Sequence, residues 1–196
     1  MRGIFTTSIF LLIVFSISAQ SIISIKDGNW SDPDTWNLNR IPISSDFVKI
    51  NHTIALQDAG TIVDRMEISN YGGNDAKLNV DIVGSFEITE HLDIFGGNAN
   101  GDSFIFLNAE SSVQVGSIYI RRNLNNETSN SAGIGVFDES SLTCIGGFVF
   151  EYDGTSSNED KEEIAILNNG EFVVKGDVNV NINSGKEFSF SLYDSS

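Results

Sequence analysis

Apolar and polar residues alternate along most of this chain in runs of three to six. Leu78, Val80 and Ile82, then Phe86 and Ile88, then Leu92 and Ile94 take every second position, with Asn79, Asp81, Glu87 and Asp93 between them. Period-2 alternation predicts strands buried on one face. Gly84-Ser85 and Glu90-His91 divide the stretch into three short strands with turns between them. The pattern then returns. Met66, Leu92, Ile118, Phe148 and Val178 are separated by 26, 26, 30 and 30 residues. Ile68, Ile94, Ile120, Phe150 and Val180 take the same steps, and so do Ile54, Val80, Phe106, Val136 and Ile166. Three columns on one ladder of spacings predict stacked structural repeats.

The expected fold is all-β: a single parallel β-solenoid (right-handed β-helix) of about five coils of 26–30 residues, closed by an N-terminal cap. One coil cannot bury its inward side chains alone, but stacked roughly 4.8 Å from a neighbour it can. The step lengthens because nine residues separate Ile94 from Phe104 whereas thirteen separate Ile120 from Ile134. The insertions therefore fall in one loop, and the strands keep their length. One irregularity stands out. The residue 30 positions before Leu142 is Ser112, and the apolar residue is Val113, which predicts a one-residue shift near Val113–Val115, corrected at Gly116. An antiparallel sandwich also has many short strands, but gives no reason for three columns to stay in step through insertions.

Residues 1–19 have a basic start, an apolar run and a terminal Ala19, as a secretory signal peptide does. The run is short and broken by Thr and Ser, unlike a membrane span, and the rest has no transmembrane helix pattern. The reading divides the chain into a signal peptide (1–19), a cap with the first strands (20–53) and solenoid repeats (54–196). The product is secreted or displayed at the cell surface after cleavage near Ala19. Cleavage there removes Arg2 and no acid, taking the net charge from −16 to −17. Nucleic acid is thereby disfavoured as a partner. Cys144 is the single cysteine, so no intrachain disulfide forms, and its strand position suits a core residue.

Ahead of the repeats, Gly28, Trp30, Ser31, Asp32, Pro33, Thr35 and Trp36 lead through Pro42 to Asp46, Val48 and Ile50. This G-x-W-S-D-P-x-T-W segment with its D-x-V-x-I strand resembles the start of the G8 domain, especially as found in bacterial surface proteins. The resemblance covers roughly residues 27–56 and implies a β-helical fold in an exported protein. Some animal members are linked to hyaluronan breakdown, but no catalytic motif carries that activity onto this sequence. Physically, a solenoid end exposes apolar side chains and strand edges and so needs a cap, which Trp30 and Trp36 can supply. Alternatively, the two indoles form a platform for stacking a sugar.

The remaining candidate chemistry lies in four loops at one corner of successive coils. At the 30-residue step Arg121 stacks over Glu151 and Arg122 over Tyr152, which suits an ion pair and a cation–π contact. Trp30, Trp36, Arg121, Arg122 and Tyr152 are the candidate ligand-binding residues. No cofactor is required; calcium is the ion the acidic loops would suit, through Asp102, Asp153, Glu159 and Asp160, although a solvated acidic face explains them as well. His52 and His91 lack the companions of a zinc site. Asn108, Asp138 and Asn168 form a column suited to a side-chain ladder.

Two function classes follow. One is an exported non-catalytic structural or adhesive β-helical module, with an extracellular glycan or another surface protein as partner. The other is a polysaccharide-binding or polysaccharide-degrading β-helix. Hydrolysis needs paired carboxylates, and the outward positions taken as Asn79, Asp81, Glu87, Asp93, Gln114, Tyr119 and Asn179 hold no acidic pair at one height beside a basic residue. No catalytic residue is assigned.

Overall fold

The computed structural model describes residues 20–70, 73–96, 101–124, 131–154, 163–167, 169–182 and 189–193. The expected signal peptide lies outside them. Its strands are β1 (Ser21–Ile23), β2 (Gly28–Asn29), β3 (Phe47–Ile50), β4 (Thr53–Leu56), β5 (Thr61–Ser69), β6 (Ala76–Asp81), β7 (Gly84–Gly96), β8 (Ser103–Asn108), β9 (Ser111–Leu124), β10 (Ala132–Val136), β11 (Ser141–Cys144), β12 (Phe148–Gly154), β13 (Glu163–Leu167), β14 (Glu171–Val174), β15 (Val178–Ile182) and β16 (Ser189–Tyr193).

All ladders between these strands are parallel, and the strands wind into a solenoid of about five turns. One sheet runs β2-β4-β6-β8-β10-β13-β16. The other runs β1-β3-β5-β7-β9 and then forks, β9 pairing with both β11 and β12. The fork reconciles two descriptions of a coil. β7 and β9 are long bent strands that carry two of the three expected runs each, whereas later coils split the same path into β11 plus β12 and β14 plus β15. The break expected at Glu90-His91 is, in β7, a bulge within one continuous strand: Val63 pairs with Ile88 and Arg65 with His91, leaving Thr89-Glu90 opposite Asp64 alone.

The two later files stack as the spacing predicts. Met66 pairs with Leu92, Leu92 with Ile118, Ile118 with Phe148 and Phe148 with Val178. Val48 and Ile22 extend this file towards the N-terminus. From Ile22 to Ile118 its members are fully buried, and Phe148 is 3% exposed; each contributes about 1.5–3 kcal/mol of burial. Val178 and Val180, in the last described rung of the two files, are 57% and 42% exposed.

The file through Ile54, Val80, Phe106, Val136 and Ile166 is different. Leu56 pairs with Val80, Val80 with Leu107, Leu107 with Val136 and Val136 with Ile166, while Ile54 pairs with Leu78. Ile54 is out by two residues because β4 stacks on β6 at a step of 24 rather than 26, and Phe106 is out by one because of a displacement that opens and closes within one coil. Ile105 rather than Phe104 stacks on Leu78, so β8 enters one residue late. Val113 and Val115 then sit opposite Leu142 and Cys144, and alignment returns by Ile118 opposite Phe148. The expected shift near Val113 is thus the closing half of a slip that begins before β8. Because strand periodicity is two, a one-residue slip turns a strand over. Phe104 and Phe106 therefore point outward, stacked with centroids 5.2 Å apart, and Phe106 lies 6.0 Å from Phe137. Phe106 and Phe137 cover Gly135 of β10, where a Cβ would meet Phe137 at 2.6 Å and Phe106 at 2.7 Å.

Trp30 and Trp36 close the first coil. They are 2% and 1% exposed, packed edge-to-face at 5.1 Å, and Trp30 reaches Phe86 at 6.0 Å. The Trp36 indole N–H donates to the Trp30 carbonyl over 2.9 Å. Pro33–Thr35 form a single 3-10 turn whose start is capped by the Asp32 carboxylate accepting from the Asp34 N–H. Arg40 clamps Asp46 through two bonds of 2.6 and 2.8 Å, and the Ile43 N–H donates to the same carboxylate over 2.8 Å. Asp46 is thus buried and paired, which fixes the D-x-V-x-I strand to the turn before it.

Candidate functional site

The outward side of the third run, on β3, β5, β7, β9 and β12, gathers most of the chemistry among the described residues. Its positions follow from the files beneath it. Met66 and Ile68 point inward, so Arg65, Glu67 and Ser69 point outward. By the same alternation β7 presents His91, Asp93 and Phe95, and β9 presents Ser117, Tyr119 and Arg121. The register stacks Lys49, Glu67, Asp93 and Tyr119 in one outer file. Ser69, Phe95, Arg121 and Glu151 form the next.

Glu67 and Asp93 are therefore a carboxylate pair at one height on adjacent coils, with basic groups on both sides. This corrects the sequence reading, which found no such pair. The signal was present: Glu67 lies between Met66 and Ile68 as Asp93 lies between Leu92 and Ile94. The outward positions from Asn79 to Asn179 begin at β6, beyond the coil that holds Glu67.

Lys49 Nζ stands 3.4 Å from Glu67 Oε2, and the Ser69 hydroxyl donates to Glu67 Oε1 over 3.2 Å. On Asp93, His91 Nε2 lies 3.5 Å from one oxygen and Arg121 Nη2 3.9 Å from the other. Burial pushes the Asp93 carboxyl above its ordinary range; His91 and Arg121 oppose that shift and Glu67 adds to it. The Arg121 guanidinium also lies over the Tyr119 ring at 5.1 Å, and the His91 ring meets Tyr119 edge-on at 6.3 Å. Glu67, Asp93, Ile94, Phe95 and Arg121 line a cleft of about 210 Å³ on this face. Chemically, the arrangement offers carboxylate acceptors, a guanidinium donor and an apolar wall within one opening.

Of the other sequence-predicted residues, Trp30 and Trp36 have their ring faces inside the cap rather than in solvent. Arg121 pairs in register with Glu151 and Arg122 with Tyr152 along the backbone, but Arg121 is turned towards Asp93 and Tyr119. The side chains of Arg122, Tyr152 and Asp153 lie outside the described residues, as do Glu159 and Asp160 altogether. Asp102 belongs to a hydrogen-bond ladder along the corner: Asp75 accepts from the Asp102 N–H over 3.1 Å, and Asp102 accepts from the Ser131 N–H over 3.0 Å. Asn108 donates to Asp81 over 3.0 Å one coil away, and Asn168 lies outside the described residues. Among the described residues, no group of three or more His, Cys, Asp or Glu is gathered to hold a metal ion.

His52 bonds Ser24 over 3.1 Å and Ser24 accepts from the Asn51 N–H, tying the cap to the first coil. Cys144 is buried and free, and burial raises its thiol pKa despite backbone contacts from Ile118 and Gly146. Among the described residues, no helix is long and apolar enough to cross a membrane. Comparison with protein-family models, curated proteins and solved structures gave no match.

Proposed function

We propose that this chain is an exported, non-catalytic β-solenoid module, secreted or held at the bacterial surface, that adheres to extracellular glycan through the outer face of its third run. The observation that carries the reading is the interleaving of Lys49, Arg65, His91 and Arg121 with Glu67 and Asp93 on that one face. Beneath them, a continuous buried file supplies a rigid support, as binding residues on regular elements require. The signal-peptide pattern and the G8-like opening support export. Neither calcium nor another cofactor is needed by this reading.

The experiment has two arms. Protease accessibility on intact cells reports whether the chain reaches the surface. Beads coated with residues 20–196 report adhesion to extracellular polysaccharide against bare beads. Retention of the protein inside the cell, or coated beads adhering no better than bare ones, refutes the proposal.

A second reading, a polysaccharide-degrading enzyme, is favoured by one observation: Glu67 and Asp93 stand in register, and Asp93 holds its proton to higher pH than an ordinary carboxyl. Release of reducing ends from polysaccharide, abolished by Asp93→Asn, would replace the module reading with this one.

A further inference from the structure

The ion pairs in the cleft are open, whereas the Arg40–Asp46 pair of the cap is closed. Arg40 and Asp46 meet at 2.6 and 2.8 Å, the distance of a strong charge-assisted bond. In the cleft, Lys49–Glu67 stands at 3.4 Å, His91–Asp93 at 3.5 Å and Arg121–Asp93 at 3.9 Å. Those separations leave the carboxylates with unused acceptor capacity and the guanidinium with unused donors. A ligand hydroxyl inserted between such groups can accept from one and donate to the other, gaining charge-assisted bonds shorter than the contacts the pairs now make.

We propose that the cleft bordered by Glu67, Asp93, Phe95 and Arg121 is a subsite for one neutral sugar ring of an extracellular polysaccharide; this rests on the adhesive reading above and names its ligand class. A sugar ring presents hydroxyls that both donate and accept, together with an apolar C–H surface. The carboxylates take the donors, Arg121 supplies the acceptors' partner, and Phe95 faces the C–H surface. The cleft, at about 210 Å³, falls below the roughly 300–1,000 Å³ that encloses a drug-sized ligand, so it holds one unit while the polymer continues over the surface. Charge selects against a uronate or sulfated chain, because Glu67 and Asp93 border the opening of a strongly acidic protein. It selects against a bare metal ion, because Lys49 and Arg121 already face the two carboxylates.

The test is calorimetric titration of residues 20–196 with soluble neutral hexose oligosaccharides and, in parallel, with oligouronates and with calcium chloride alone. Variants Arg121→Ala and Asp93→Ala are compared with Glu87→Gln, an outward carboxylate elsewhere in the coil that contacts Gln114. Thermal melts establish that each variant is folded. The expected result is saturable binding of a neutral oligosaccharide, weakened tenfold or more by Arg121→Ala and by Asp93→Ala and unchanged by Glu87→Gln. Binding that survives both cleft variants, binding of oligouronates or calcium alone, or no binding of any neutral oligosaccharide overturns the assignment. The bead assay separates the two proposals: coated beads that still adhere with both cleft variants leave the module standing without this subsite, and wild-type beads that do not adhere remove the module itself.

Discussion

Gly146 and Gly147 are adjacent in the chain and face opposite consequences from the same substitution. A Cβ on Gly146 would lie 2.6 Å from the carbonyl oxygen of Gly116 on the coil below. That oxygen accepts the Gly146 N–H over 2.6 Å, so the two backbones are already in close contact. Gly116 is itself pressed against Glu90 and Thr89, with carbonyl oxygens 2.1 and 2.5 Å from where its Cβ would be, and Gly176 repeats the arrangement against Gly146 at 2.3 Å. The obstacle is backbone in every case, so no side chain can swing aside. Gly146→Ala must push two coils apart and lengthen a ladder hydrogen bond, at a cost in the overpacking range of about 1–3 kcal/mol, less about 0.4–1 kcal/mol gained by restricting the unfolded chain. A Cβ on Gly147 would meet only the Asp177 oxygen at 3.6 Å, an ordinary contact. Gly147→Ala therefore keeps the unfolded-state gain alone and stabilises by about 0.4–1 kcal/mol. Urea denaturation of residues 20–196 with unchanged m-value reads both effects from the midpoint. A Gly146→Ala midpoint equal to or above wild type, or a Gly147→Ala midpoint lowered as far as that of Gly146→Ala, would refute the claim that this glycine column exists because carbonyls of the preceding coil occupy the Cβ positions.

Leu92→Ala, in the middle of the buried file, should cost about 2–5 kcal/mol, measured by the same denaturation, because packed coils above and below limit collapse of the cavity. Asp46→Asn should cost about 2–3 kcal/mol at pH 7. Although burial opposes ionisation of Asp46, its bonds from Arg40 and Ile43 hold the carboxyl below the ordinary range; its stabilisation is present above the unfolded value of 3.8 and is lost as pH falls through the lower folded value. Asp93 has the opposite sign. Its folded pKa is raised above 3.8, so its contribution is greatest in acid and declines as pH rises from 3.8 through the folded value, and Asp93→Asn should flatten that decline in a stability-against-pH series. Native protein should leave Cys144 unmodified by a thiol-specific reagent over minutes, with full labelling in denaturant, because the thiol is buried and its pKa is raised.

The sequence by itself determined the solenoid. Inward residues recur because each coil must bury its apolar side on the next, and the steps that the Met66 and Ile68 files share record that requirement without tertiary information. It also located Trp30 and Trp36, whose bulk and turn-rich spacing suit an end that must be closed. Tertiary structure decided which residues share the outer face, because register passes through corners whose lengths vary. The corner before β8 is one residue longer than its predecessor, and the corner between Val115 and Ile118 compensates, so the file at Ile118 shows no trace of the slip while Phe104 and Phe106 turn over. Glu67 and Asp93 were within reach of the same spacing argument. Their pairing with Lys49, His91 and Arg121 was not, since the open distances that make the cleft depend on where side chains settle on a stacked backbone, and alternation in one dimension carries no such information.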